Sequence, residues 1–177
     1  AIFFSFAFTN CTKKAAQNPN VKAKPSIPQR IVSLSPASTE ILFAVGAENQ
    51  IVAVSDFSDY PPQAQNLPKV GGFDGKTLSL EKILSFNPDI VYLTNVMNNH
   101  LIQNFESLNI DYYLSDANSF EQVKNEILQI AKITGHTSNG GNLVKEIDSA
   151  ITKINSQNQL DQSPTVYWEV WNSPFMS

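Results

Sequence analysis

Arg30-Ile-Val-Ser-Leu-Ser-Pro-Ala-Ser-Thr-Glu-Ile-Leu-Phe-Ala-Val-Gly46 begins as a strand and ends as a helix. Ile31, Val32 and Leu34 form a short apolar run, and Pro36 ends it because proline has no backbone N–H to give a sheet. Beyond Pro36 the spacing changes. Ile41, Leu42 and Val45 share one helical face, Ser38 offers an N-cap hydroxyl, and Gly46 provides the stop. Ile51-Val-Ala-Val54 then follows, apolar at every position. A strand covered on one face alternates, so this one is expected in a parallel sheet with helices on both sides.

The same rhythm continues outward. Asp56 to Gly75, with three prolines and three glycines, reads as a long surface loop. Ser79 to Phe86 reads as a helix ended by Asn87-Pro88, and Asp89 to Thr94 as a third strand. A helix is expected from about Asn99 to Leu108, a strand over Asp111 to Leu114, and an amphipathic helix over Phe120 to Thr134. In that last helix Val123, Ile127, Ile130 and Ala131 make the apolar side, and Gly135 stops it. Alternating strands and helices imply βαβ units, hence an α/β fold with a doubly wound, mostly parallel sheet.

From Gly141 to about Gln157, Leu143, Ile147, Ile151 and Ile154 recur as one apolar stripe on a long helix. Thr165 to Val170 then restarts a strand. A lone strand is no domain, so a second α/β lobe is expected to be largely missing, the chain being a fragment. The expected organisation is a signal-peptide remnant at 1–10, a flexible tether at 11–28 and an N-terminal lobe at 29–138. A linking helix at 139–160 and the first strand of the second lobe at 164–177 complete it.

The 177 residues are 42% hydrophobic and 16% charged, which suits a globular domain rather than a disordered one. A net charge of −4 without a Lys/Arg cluster argues against nucleic acid, which needs a concentrated positive face. Two His and one Cys fall short of a soft-metal site, so no metal site is expected. Ala1 to Phe8 is apolar but too short to span a bilayer, and resembles the end of a signal peptide. Cys11 stands between it and the polar, Lys/Asn/Gln/Pro-rich run to Pro28. That placement resembles a bacterial lipoprotein site, with the cysteine lipidated and the polar run acting as tether; the bland alternative is a free thiol.

Several motifs invite chemistry and fail on spacing. Gly71 lies one residue too close to Gly75-Lys76-Thr77 for a phosphate loop, and isolated Gly46 makes no dinucleotide fingerprint. Ser33 and Ser35 end a strand, but no Gly-x-Ser-x-Gly elbow surrounds them, and His100 sits in a polar, surface-type run. Ser35-Pro36 reads more simply as a loop whose backbone faces a cleft. Ser55-Asp-Phe-Ser-Asp-Tyr-Pro-Pro-Gln-Ala64 places aromatics and prolines after a buried strand, where open α/β sheets bind ligands. Phe57 and Tyr60 either line such a rim or close the core beneath the loop.

Taken in order, Arg30 to Gly46, Ser58 to Ala64, Val70 to Phe73, Leu80 to Ile83 and Asn87 to Val91 resemble the periplasmic binding proteins for vitamin B12, siderophores and haem. The resemblance covers about Arg30 to Ser177. It implies two α/β lobes bridged by one rigid helix, and no catalysis or cofactor. A cobalamin-like or other metal chelate is held between the lobes and passed to the permease of an ABC importer. It also implies a monomer, outside the cytoplasm and membrane-anchored. Phe57 and Phe73 match aromatic positions that stack on the ligand, and Ser35 and Pro36 match the cleft floor. Thr94 and Trp171 match ligand-facing positions; Phe73 and Thr94 stand where B12-binding members carry Trp. Glu81 matches an acidic residue that docks on the permease, although a carboxylate in a first helical turn is also favourable by itself. The alternatives are haem or ferric-siderophore binding in the same family, or a nucleotide-dependent α/β enzyme domain.

Overall fold

The computed structural model describes residues 21–22, 26–72, 78–157, 165, 171–172 and 175–176. Cys11, Phe73 and most of the strand expected at Thr165 to Val170 lie outside the described residues.

A five-stranded sheet forms the centre. Its strands are β1 (Val21–Lys22), β2 (Ile31–Ser33), β3 (Ile51–Val54), β4 (Ile90–Thr94) and β5 (Asp111–Ser115), in spatial order β1-β5-β4-β2-β3. Strands β2 to β5 are parallel, with Ile31 opposite Ile90 and Tyr92 opposite Tyr113. The chain leaves β2 for β3 on one side, then crosses to β4 on the other, so the winding reverses between β2 and β4. That reversal defines a doubly wound sheet, and in such sheets ligands bind outside the carboxyl ends of the strands at the reversal.

Helices cover both faces, which explains the near-continuous apolar strands. Ile31, Ile90, Tyr92 and Tyr113 meet α1 (Pro36–Ala44), α5 (Phe120–Ile133) and α6 (Thr137–Gln157). The opposite parity, Val32, Leu34, Val91 and Leu93, packs with Ile83 of α2 (Leu80–Ser85) and Phe105 of α4 (Ile102–Ser107). At the amino end Asp89 Oδ2 accepts from the N–H groups of Gln29 (2.7 Å) and Arg30 (3.0 Å), while the Arg30 guanidinium donates to the Phe86 carbonyl.

The structure departs from the sequence expectations at several points. The N-cap of α1 is Ser35, not Ser38: the Ser38 N–H donates to Ser35 Oγ at 3.1 Å, and Pro36 takes the first helical position, where a missing N–H costs nothing. Gly46 does stop this helix, at φ +88°, a value that Cβ sterics disfavour in other residues. The helix expected over Asn99 to Leu108 is broken into α3 (Asn95–Asn98), a 3-10 turn and α4, beginning directly after β4. The proline-rich loop contains a 3-10 turn over Pro62–Asn66. Val21–Lys22, in the segment read as tether, pairs antiparallel with β5 and covers backbone groups that an edge strand leaves open.

Helix α6 starts before the Gly140-Gly141 pair, because Gly140 is where it seats on α5. A Cβ there would run into that of Ala131. Leu143, Val144 and Ile147 pack on the core, whereas Ile154 stays 55% exposed. On α5, Ile127, Ile130 and Ala131 are buried as expected and Val123 is not, at 38% exposure. No described helix is long and apolar enough to cross a membrane.

Tyr92 is fully buried against Tyr113 (ring centroids 5.2 Å apart), and its hydroxyl has no partner among the described protein atoms. Burial, then the neighbouring Tyr113, pushes its ionisation well above the ordinary value of 10.0. Below that value both folded and unfolded states keep the proton. Above it the unfolded chain releases the proton first, so stability falls by about 1.4 kcal/mol per pH unit. Tyr92→Phe should therefore raise stability by roughly 1 kcal/mol at neutral pH, removing an unsatisfied polar atom, and should flatten the alkaline loss. Urea unfolding at pH 7 and at pH 11 checks both.

Candidate functional site

Parallel strands end together, so the residues that follow β2, β3, β4 and β5 share one rim. Ser35 and Pro36 follow β2, Phe57 follows β3, and Thr94 closes β4 opposite Ser115. Four of the residues selected from sequence thus lie at one end of the sheet, flanking the reversal between β2 and β4. Trp171 lies in β6 (Trp171–Asn172), which pairs antiparallel with β7 (Phe175–Met176). Glu81 is exposed in the first turn of α2, in the helix layer on the second face, and Ser79 caps that helix through the Lys82 N–H (3.3 Å).

The floor of the rim is polar but closed to solvent. Ser33, Ser35, Thr39, Ser55 and Ser58 are all essentially fully buried. Thr39 Oγ1 lies 2.9 Å from Ser33 Oγ and 3.1 Å from Ser58 Oγ, and Ser55 Oγ lies 2.9 Å from Ser58 Oγ. Ser33 Oγ donates to the Ser35 carbonyl at 3.0 Å. Main-chain bonds tie the strand ends together as well, from Leu34 N–H to the Tyr92 carbonyl (2.8 Å) and from Ser55 N–H to that of Ser33 (2.9 Å). Sequence reasoning selected only Ser35 from this group. The clue was its density of Ser and Thr at strand ends, where hydroxyls replace water as partners for buried backbone.

Above this floor the side chains differ. Phe57 is 53% and Tyr60 63% exposed, so neither closes the core beneath the loop. Ser58 between them is buried, and Lys69 Nζ donates to its carbonyl at 2.7 Å and to that of Ala64 at 3.2 Å. On the other side of the reversal, the Thr94 N–H and hydroxyl both donate to Asn98 Oδ1, at 3.2 and 3.3 Å. Asn98 is fully buried and was missed in the sequence, its only signal being the four-residue step from Thr94 into a helix not expected there. Its Nδ2, like Ser38 Oγ on α1, has no partner among the described residues. A rim with an exposed ring and well-held polar groups can hold a flat ligand by stacking and orient it by hydrogen bonds. No group of three or more His, Cys, Asp and Glu side chains suited to a metal ion is found among the described residues.

Known proteins share this fold. A family profile described as periplasmic binding protein matches residues 31–176. The vitamin B12-binding protein of Vibrio cholerae is 27% identical over 160 residues, covering 90% of this chain and 57% of that protein. The crystal structure of BtuF, the periplasmic vitamin B12-binding protein of Vibrio cholerae, superposes with a TM-score of 0.75 at 26% identity, over 84% of this chain and 58% of that one. The periplasmic haem-binding protein HutB of the same organism gives a TM-score of 0.65 at 29% identity, over 76% and 51%. The chain therefore spans little more than half the length of these relatives.

The two rim positions should separate in their effect on stability. Ser35→Ala removes the α1 cap and should cost about 1 kcal/mol. Phe57→Ala, at a half-exposed position, should change stability by less than about 0.5 kcal/mol. Thermal or urea unfolding of both variants checks the contrast.

Proposed function

Because the chain belongs to the periplasmic binding protein family, we propose that it is the solute-binding component of an ABC importer, capturing a cobalamin-like metal chelate outside the cytoplasm. The observation that carries this reading is the half-exposed Phe57 standing above a floor that is closed and hydrogen-bonded. The Phe57 ring stands about half in water. A flat macrocycle laid on it removes apolar area at about 25 cal/mol per Å². Phe73, Thr94 and Trp171 belong to the same proposed contact set, with Ser35 and Pro36 as its floor. The fit to the Vibrio cholerae vitamin B12-binding protein supports cobalamin, and the fit to the haem-binding protein keeps haem as the main rival, followed by a ferric siderophore.

Delivery completes the proposal. Lipidation of Cys11 tethers the protein to the membrane surface as a monomer. Glu81, exposed at a helix start, meets a basic pocket of the permease. A charged rim contact of this kind governs encounter and register more than affinity. The reading involves binding and release without bond making.

Titrating the full-length protein with cyanocobalamin, haemin and a ferric siderophore tests the ligand class. Saturable binding of cyanocobalamin at micromolar Kd or tighter is expected. Binding of haemin or the siderophore alone would keep the carrier and replace the vitamin, and binding of none would defeat the proposal. Glu81→Lys should cut transport about tenfold or more with ligand affinity unchanged. A matching loss of ligand affinity would remove Glu81 from the docking role.

A further inference from the structure

We infer that Thr39 is a positioning residue, which pins the turn carrying Phe57 to the end of β2 and so fixes the ring before any ligand arrives. The inference rests on the proposal that Phe57 meets the ligand, but its geometry is independent of which ligand that is.

Four buried hydroxyls form one directed chain. Ser33 donates to the backbone carbonyl of Ser35 (3.0 Å) and Thr39 to Ser33 (2.9 Å); Thr39 pairs with Ser58 (3.1 Å) and Ser58 with Ser55 (2.9 Å), and assigning Ser55 as donor to Ser58 and Ser58 as donor to Thr39 completes the direction. With this assignment every hydroxyl donates once and all but Ser55 accept once within the chain, so one proton each suffices. Such chains strengthen cooperatively where water is excluded. Thr39 is the middle link and the only member contributed by a helix: it joins α1 to the strand end on one side and to the Ser55–Ser58 turn on the other. Ser58 receives a second hold from Lys69, whose ammonium donates to its carbonyl. The neighbours differ sharply: Ser58 is buried at 1% exposure, while Phe57 stands at 53%. Burying Ser58 is what leaves its neighbour outside. A ring presented in this way loses little freedom on binding, and that saving appears as affinity.

Thr39→Val keeps the side-chain shape and deletes the link, whereas Thr39→Ser keeps the hydroxyl. Amide hydrogen exchange on the full-length protein reads the turn directly. In Thr39→Val, exchange from Ser55 to Tyr60 should quicken about tenfold, the worth of one hydrogen bond, with β4 unchanged. Thr39→Ser should restore the wild-type rate. Unchanged exchange at the turn, equal quickening throughout the sheet, or failure of Thr39→Ser to rescue would each overturn the inference. Titrations with cyanocobalamin and haemin add the functional arm. Whichever the wild type binds should weaken in Thr39→Val, and Phe57→Ala added to it should bring less than its own separate loss. Full additivity would show that Thr39 does not act through Phe57. Wild-type protein that binds neither probe would sink the proposed function, while the exchange result would still decide whether Thr39 pins the turn.

Discussion

Where β2 gives way to α1, a buried backbone must turn a corner without water. Ser33 and Ser35 are closed to solvent, yet each carries a carbonyl and a hydroxyl that must be paired. The answer is local. Ser35 caps the helix, Ser33 donates to the Ser35 carbonyl, the Thr39 N–H donates to that same carbonyl at 2.9 Å, and the Ser33 carbonyl takes the Ser55 N–H. The start of α1, the end of β3 and the exposed turn after it all hang from this corner. A single unpaired group here would cost about 1–3 kcal/mol, a large fraction of the stability of a domain this size.

The sheet then converts that corner into a site. Parallel register brings every strand end to one side, and the reversal between β2 and β4 falls there, the place where open α/β sheets bind ligands. What stands there is a half-exposed phenyl ring, a proline, a threonine whose hydroxyl is held by Asn98, and buried serines. These groups recognise shape and surface. Such a constellation suits a family that carries its solutes.

Much of this was legible in the sequence because period and composition are local. The continuous apolar character of Ile51–Val54 announced a strand buried on both faces, and α5 was readable from Ile127, Ile130 and Ala131. Ser38 misled because two serines competed for one cap, and only Pro36 at the first helical position decides for Ser35. The stripe was read only from Gly141, since the close approach to Ala131 that requires Gly140 depends on the partner helix. The link from Thr39 to Ser58 spans nineteen residues between separate elements, and no periodic pattern encodes it. The same holds for Val21–Lys22, whose pairing depends on where β5 leaves an open edge.

The central claim is that the carboxyl-end rim is the part of this lobe that meets ligand. Amide chemical-shift mapping on the full-length protein, with cyanocobalamin and haemin added in turn, addresses it most directly. The account predicts shifts concentrated at Ser35 to Ala37, Ser55 to Tyr60 and Thr94 to Asn98, with the opposite end of the sheet near Asp89 and Asn109 undisturbed. Shifts gathered at that opposite end, or spread evenly over the surface, would contradict it.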